Sequence, residues 1–113
     1  MKDILAKSLL NKIERLEAFE ERLNVRFENI SVKVDVNGWL LIFFELHSNT
    51  GITLEQFTKI ECVAYDIDGQ ILEINYSYAD EKNFFGFEVF KFSFQEDGIA
   101  DKINKLRLYP KLP

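Results

Sequence analysis

The sequence has one cysteine, one histidine and five scattered glycines among 113 residues, and each scarcity excludes a class of site. Cys62 cannot form an internal disulfide, and one histidine with one cysteine cannot supply a usual zinc ligand set. The glycines form no glycine-rich phosphate loop. We therefore expect neither a metal nor a cofactor, and we predict that Cys62 is a small buried hydrophobic residue.

Long apolar runs are also absent. No stretch approaches the roughly 20 consecutive apolar residues of a membrane span. Asp3 and Lys7 interrupt the apolar core that a secretion signal would need near the amino terminus. A single cysteine is typical of proteins in a reducing compartment. The sequence therefore predicts a cytoplasmic protein that does not bind membranes.

Positive charge is scarce, because 14 lysines and arginines stand against 19 aspartates and glutamates, for a net charge of −5. The imbalance is concentrated in residues 55–98, where ten acidic residues outnumber three basic ones. An acidic chain repels phosphate backbones, so nucleic-acid binding is not expected. The basic residues of 99–113 are predicted to form the solvated face of a last strand.

Two β-hairpin signals are the strongest positive feature of the sequence. The first joins the alternating apolar residues of 30–36 and 40–46 through Asn37-Gly38, and the second joins 60–65 and 72–78 through Asp68-Gly69. Asn-Gly and Asp-Gly tolerate the positive φ angles of the tight turns that connect twisted antiparallel strands. The pattern therefore predicts an antiparallel sheet.

A helical pattern precedes the strands. We predict a single domain over 1–113, with an amphipathic helix in 1–24 and about six antiparallel strands in 25–113. The helix is expected to pack against the sheet or, as an alternative, to dock on a partner. Its apolar stripe, about 120° wide, consists of Leu5, Leu9, Ile13, Leu16, Phe19 and Leu23.

The strand pattern has two irregularities. Phe27 is out of phase with the apolar residues that follow it, which predicts a bulge near Glu28-Asn29. A phase change near Val89-Phe90 predicts a second bulge or a strand that crosses between two sheets. We further expect a short helical turn at 53–57 and a last strand at 103–109 that ends before Pro110.

Several aromatic residues could form a recognition surface, because Tyr and Trp are favoured at interfaces. Trp39, beside the first turn, is the interaction candidate among them. Tyr76 and Tyr78 share a phase with Leu72 and Ile74, so we expect these two tyrosines to pack in the core.

The element pattern predicts a β-sandwich, immunoglobulin-like in general architecture, with the N-terminal helix packed on or beside it. The rival fold is a cystatin-like or NTF2-like α+β domain, in which a curved antiparallel sheet wraps around the helix. The difference matters for function, because curved sheets often enclose a pocket, whereas sandwiches usually bind through loops or faces.

Glu45 and His47 are the candidate pair for chemistry, two residues apart and therefore on the same face of a strand. A glutamate can orient an imidazole, but no nucleophile-elbow pattern such as G-x-S-x-G accompanies the pair. We predict that the chain is not an enzyme and that His47 is an ordinary strand-end histidine. In the rival fold, the same two residues would be the polar groups of an aromatic pocket for a small ligand.

Two segments carry a family resemblance. Residues 63–72, VAYDIDGQIL, resemble the tyrosine-aspartate hairpin of bacterial immunoglobulin-like domains of the FxLYD type. Residues 105–110, KLRLYP, are similar to the last strand of many such sandwiches. The resemblance implies a sandwich that binds rather than catalyses.

The leading functional hypothesis is a non-enzymatic, cytosolic protein-interaction domain. In its specific form, the chain is an inhibitor or immunity-type protein that masks a basic partner protein, and electrostatic steering makes their association sensitive to salt. One alternative is a small-ligand-binding protein or minor enzyme of the rival fold, with Glu45 and His47 in its pocket. Another is a structural subunit that forms a homodimer through the helix or an uncovered edge strand. The residues predicted to contact a basic partner are Trp39, Glu61, Asp66, Asp68 and Glu73.

Overall fold

The computed structural model describes residues 2–113, which form two packed β-sheets with short helices around them. The four-stranded sheet has the order β1-β7-β4-β5, and the three-stranded sheet has the order β2-β3-β6. In chain order the elements are α1 (Lys2–Leu10), β1 (Ile13–Arg15), α2 (Glu17–Arg22), β2 (Val25–Val34), β3 (Leu40–Ser48), β4 (Thr58–Tyr65), β5 (Ile71–Ala79), a 3₁₀ helix (Glu81–Asn83), β6 (Phe87–Phe94), α3 (Ile99–Lys102) and β7 (Lys105–Lys111).

The core lies between the two sheets and consists of the side chains at alternate positions of the strands, those that point inward. In β3, the even-numbered residues of 40–46 are buried and alternate with half-buried ones. The ring of Phe44 lies at the centre, with its centroid 5.2 Å from that of Phe27, 5.5 Å from that of Phe90 and 5.3 Å from that of Phe92. This face-to-face packing confirms the predicted β-sandwich, and no curved sheet wraps a helix in residues 2–113, as the rival fold would require.

The predicted helix of 1–24 is not continuous within the described residues. Helix α1 ends at Leu10, and Ile13–Arg15 form strand β1, which pairs in parallel with β7. Leu106 donates its N–H to the carbonyl of Lys12 at 3.1 Å, so β7 satisfies backbone groups that a helix would have satisfied internally. Part of the apolar stripe still reaches the core, since Leu9 and Leu23 are buried in it and Leu5 and Ile13 pack against it. Helix α1 packs on β2, within its own domain.

Both predicted hairpins are confirmed. Strand β2 pairs with β3 up to Val34 opposite Leu40, and β4 pairs with β5 up to Tyr65 opposite Ile71. The predicted bulge is also present, since the register of β2 shifts after Glu28 and Asn29 has a φ of 54°.

Other local expectations are wrong. Residues 53–57 form no helix, and β7 continues through Pro110 to Lys111. Strand β6 pairs with β3 in an unbroken register, so Phe87 and Val89 lie on the outer face without a bulge. The structure has seven strands rather than about six, because β1 replaces part of the predicted helix.

Candidate interaction surface

The outer face of β5 carries exposed apolar side chains. Asn75 lies opposite the buried Cys62 and therefore faces the other sheet, so the neighbours of Asn75 along the strand point to solvent. The exposed fractions are 48% for Ile74, 57% for Tyr76 and 44% for Tyr78. The expectation that these tyrosines pack in the core is wrong, because β5 turns its polar phase inward.

Phe57 extends this surface from the loop before β4. Its ring stacks on that of Tyr78 with centroids 5.3 Å apart, and Tyr78 meets Tyr76 edge-on at 5.9 Å. The ammonium group of Lys59 lies 4.5 Å from the Tyr76 ring centroid. These contacts favour the observed arrangement of the rings. We call Phe57, Ile74, Tyr76 and Tyr78 the β5 outer face.

Glu61 lies on the same side of the sheet and already has partners. Its carboxylate accepts a hydrogen bond from the Tyr109 hydroxyl at 2.5 Å and lies 3.2 Å from the Lys59 ammonium group. Burial alone would raise the pKa of Glu61, but these two partners outweigh burial and hold the pKa below its ordinary value. Burial and the contact with Glu61 raise the pKa of Tyr109. Glu61 therefore serves as a paired group within the sheet.

Strand β5 is the edge of its sheet, with β4 on one side and no hydrogen-bonded strand on the other in the part of the chain that the structure describes. It lies beside β6, the edge of the three-stranded sheet. The side-chain amide of Asn75 donates to the backbone carbonyl of Ser93 at 3.0 Å, across the gap between the two sheets. We call the line where β5 and β6 meet the edge seam.

Within the described residues, each of these two edge strands has a half-buried carboxyl group without a cation on its inner face, Glu73 opposite Ala64 and Glu88 opposite Leu46. Glu73 of β5 accepts a hydrogen bond from Asn75 at 3.2 Å, and Glu88 of β6 forms neither a hydrogen bond nor an ion pair within residues 2–113. Burial raises the pKa of both carboxyl groups, and the nearby Glu96 raises that of Glu73 further. The seam therefore holds negative charge that the described residues do not balance.

The turn residues among the predicted partner contacts have different roles. One oxygen of Asp66 accepts the backbone N–H groups of Asp68 and Gln70, each at 2.9 Å, so this carboxylate caps its own turn. Asp68 is exposed at the tip of the turn. The indole N–H of Trp39 donates to Asp97 at 2.8 Å beside the first hairpin.

The five predicted contact residues do not form one surface. Strand alternation sends Glu61 to the outer face and Glu73 to the inner face of the same sheet, because Glu73 lies opposite the buried Ala64. Sequence reasoning missed Phe57 and Glu88. The signal for Glu88 was available, since it is the one charged residue in phase with the buried phenylalanines of β6.

The predicted Glu45–His47 pair is formed, on the outer face of the three-stranded sheet. The His47 Nε2 lies 2.7 Å from Glu45, and this hydrogen bond, with a second from Asn29, lowers the pKa of Glu45. The imidazole stacks on Phe87 with centroids 5.2 Å apart. Four cavities of about 260 to 500 Å³ are lined by other residues. The pair thus orients an imidazole on a strand surface, away from those cavities.

None of the helices within residues 2–113 is long and apolar enough to cross a membrane. No protein-family model matches the chain, and no curated protein matches it by sequence. The FxLYD-type resemblance is therefore not confirmed.

Solved structures provide the remaining comparison. The chain is similar to a DUF1425 family member from Shewanella sp. pv-4, with 12% identity, a TM-score of 0.52, and coverage of 79% of this chain and 78% of that one. It also matches Campylobacter jejuni cj0090, with 15% identity, a TM-score of 0.49, and coverage of 91% and 99%. The uncharacterized lipoprotein yajI from Escherichia coli matches with 14% identity, a TM-score of 0.39, and coverage of 77% and 54%. The first similarity supports the β-rich fold alone.

Proposed function

We propose that this chain is a small non-enzymatic protein-interaction domain that docks a partner protein on the β5 outer face. The observation that supports the proposal is the cluster of four exposed apolar side chains, 38% to 57% exposed, on one side of an edge strand. Apolar clusters of this kind, rich in tyrosine and bordered by polar groups, are typical of protein interfaces.

The packing of the rings adds further support. Phe57 stacks on Tyr78, Tyr78 meets Tyr76, and Lys59 lies over Tyr76, so these contacts already favour one arrangement of the rings before a partner binds. Aromatic side chains that are already ordered are the usual energetic centre of an interface.

The proposal includes a basic partner in a reducing, cytoplasmic environment. An inhibitor that uses the acidic 65–71 turn is the less favoured form, because Asp66 already caps that turn. The unbalanced carboxyl groups of Glu73 and Glu88 are better placed to attract a cation. Cys62 is a free thiol, and a chain without a disulfide is typical of a reducing environment.

Photo-crosslinking in the source cells tests whether a partner protein docks on the β5 outer face. A benzoylphenylalanine residue replaces Tyr76 in one variant and Phe87 in another, and Phe87 is the matched control because it is similarly exposed, 50% against 57%, on the opposite sheet. We expect one predominant protein adduct from position 76 and none from position 87. Equal adducts from both positions, or none from position 76, would contradict the proposal.

Point variants give the second readout. The double variant Tyr76→Ser with Tyr78→Ser is expected to lose the crosslinked partner in a binding assay, because it removes the exposed apolar area. The inward-facing polar residues of β5 are unchanged. Phe87→Ser with Val89→Ser is the matched control and is expected to retain the partner. Circular dichroism and urea midpoints establish that all variants remain folded.

A further inference from the structure

The edge of β5 lacks most of the features that usually prevent a strand from pairing with another chain, and the inward-facing Glu73 is its one protective charge. From Glu73 to Ala79 it contains one charge, no proline, no glycine and no change of register. Such a long, regular edge is a template for strand addition. The other edges are less open, because β1 has three residues, α1 packs against the bulged β2, and β6 carries two charges, Glu88 and Lys91.

The two faces of β5 impose different chemistry on an added strand. Outward side chains of that strand would lie beside Ile74 and Tyr76, where aromatic and β-branched residues form the favourable cross-strand pairs. Its inward side chains would enter the edge seam, beside Glu73 at one end of β5 and toward Glu88 at the other. Lysine or arginine there would balance the two carboxylates.

We propose that β5 accepts, as a fifth strand of its sheet, a partner segment in which apolar or aromatic residues alternate with lysine or arginine. This inference rests on the proposed function and specifies how the partner binds. Main-chain hydrogen bonds to the β5 edge provide affinity, and the two faces provide specificity.

Charge argues against a second copy as the occupant. Along the seam, Glu73 lies near Glu96 and Asn75 bonds Ser93, so β5 and β6 run in opposite directions and Glu88 lies toward the carboxyl-terminal end of β5. A symmetric antiparallel pair would bring the second copy's Glu73 to that same end. Like carboxylates would then meet between two chains that each carry a net charge of −5.

A synthetic peptide of about nine residues, the length of β5, tests the inference on the full chain. The probe alternates lysine with valine and tyrosine and carries a fluorophore, and the matched control replaces every lysine with glutamate. Fluorescence anisotropy measures binding at low and high salt, and hydrogen exchange locates it. We expect the lysine peptide to bind, to weaken with salt and to slow exchange at backbone amides of 73–79.

Matched variants separate the edge from general charge attraction. Ile74→Lys with Tyr76→Lys is expected to weaken the lysine peptide by about tenfold or more, through lost pairs and like charge. Phe87→Lys with Val89→Lys adds the same charge to the other sheet and should change binding by less than about twofold. Glu73→Gln with Glu88→Gln should weaken binding and reduce its salt dependence.

Several results would overturn the inference. They are equal binding of the glutamate peptide, no slowing of exchange in 73–79, and equal losses in the two lysine variants. A free protein whose mass doubles with concentration while β5 amides become protected would assign the edge to a second copy. If peptide binding fails but the position-76 crosslink persists, strand addition is wrong and the proposed docking face stands; if both fail, both proposals are wrong.

Discussion

At the scale of single residues, an aspartate that precedes each hairpin turn organises the turn. Asp35 accepts the N–H groups of Asn37 and Trp39, each at 2.9 Å, in the same way that Asp66 accepts two N–H groups of its own turn. In both turns an aspartate lies three residues before a glycine of positive φ, 76° at Gly38 and 79° at Gly69. The glycine and the aspartate together fix the turn.

Asp66 is therefore predicted to contribute to stability rather than to partner recognition. Asp66→Ala leaves two backbone N–H groups of the turn without their acceptor and should lower the free energy of unfolding by about 1–2 kcal/mol. Asp68→Ala is the matched control, since the side chain of Asp68 is exposed, and its effect should stay within about 0.5 kcal/mol. Urea unfolding measures both effects. Equal midpoints for the two variants would contradict the capping role.

Sequence could predict contacts between residues that lie close along one strand, but could not predict which face of β5 is buried. Glu45 and His47 meet because alternation alone places them on one side. The sequence pattern predicts that Tyr76 and Tyr78 pack in the core, because apolar residues usually point inward. In β5 the inward-facing side chains are polar. One of them, Asn75, finds a hydrogen-bond partner at the seam with β6, through a contact between residues distant in sequence.

At the scale of elements, the short helix α2 is fixed to the sandwich by one buried carboxylate. Glu20 is 3% exposed and accepts two hydrogen bonds from the Arg15 guanidinium, at 2.6 and 3.2 Å, and one from the backbone N–H of Phe27 at 3.1 Å. This carboxylate joins α2 to both β1 and β2. A helix of six residues has little stability of its own, so such contacts decide whether it forms.

Loss of this carboxylate should therefore loosen the whole amino-terminal region. Glu20→Ala leaves the buried backbone N–H of Phe27 without its acceptor and removes the ion pair with the exposed Arg15, and we expect it to lower the free energy of unfolding by about 1–3 kcal/mol. Glu17→Ala, an exposed residue of the same helix, should have an effect within about 0.5 kcal/mol. Hydrogen exchange should speed up in 13–27 for the first variant only. A Glu20→Ala protein as stable as the Glu17→Ala protein would show that α2 is held by other contacts.

Elements could be predicted where their signals are local. The hairpins and the Asn29 bulge follow from turn residues and alternation within a few positions of one another. Strand β1 could not be predicted from the sequence, because its partner β7 lies more than 90 residues away. The apolar residues on either side of β1 also have the spacing of an amphipathic helix. The break in the helix at Asn11 and Lys12 is thus a consequence of tertiary pairing.

At the scale of the whole molecule, the edge seam lowers the stability of the free protein. Two half-buried carboxyl groups without cations are unfavourable when ionised, and replacing them with neutral groups is an obvious route to a more stable sandwich. Surfaces that serve binding often retain such unfavourable groups. The seam is therefore the place where stability and the proposed function are expected to oppose each other.

The pH dependence of global stability tests this opposition. The folded-state pKa of Glu88 lies above the ordinary value of 4.5, so the folded state holds this proton more tightly and loses stability as pH rises through the folded pKa. Glu88→Gln should therefore be more stable than the parent at pH 7, with the gain disappearing below about pH 4. Glu61 has the opposite shift, so Glu61→Gln should be less stable than the parent at pH 7, and that loss should disappear as pH falls through the folded pKa of Glu61. Urea unfolding across this range measures both, and a Glu88→Gln protein that is less stable than the parent at pH 7 would mean that Glu88 has a stabilising partner in the free protein.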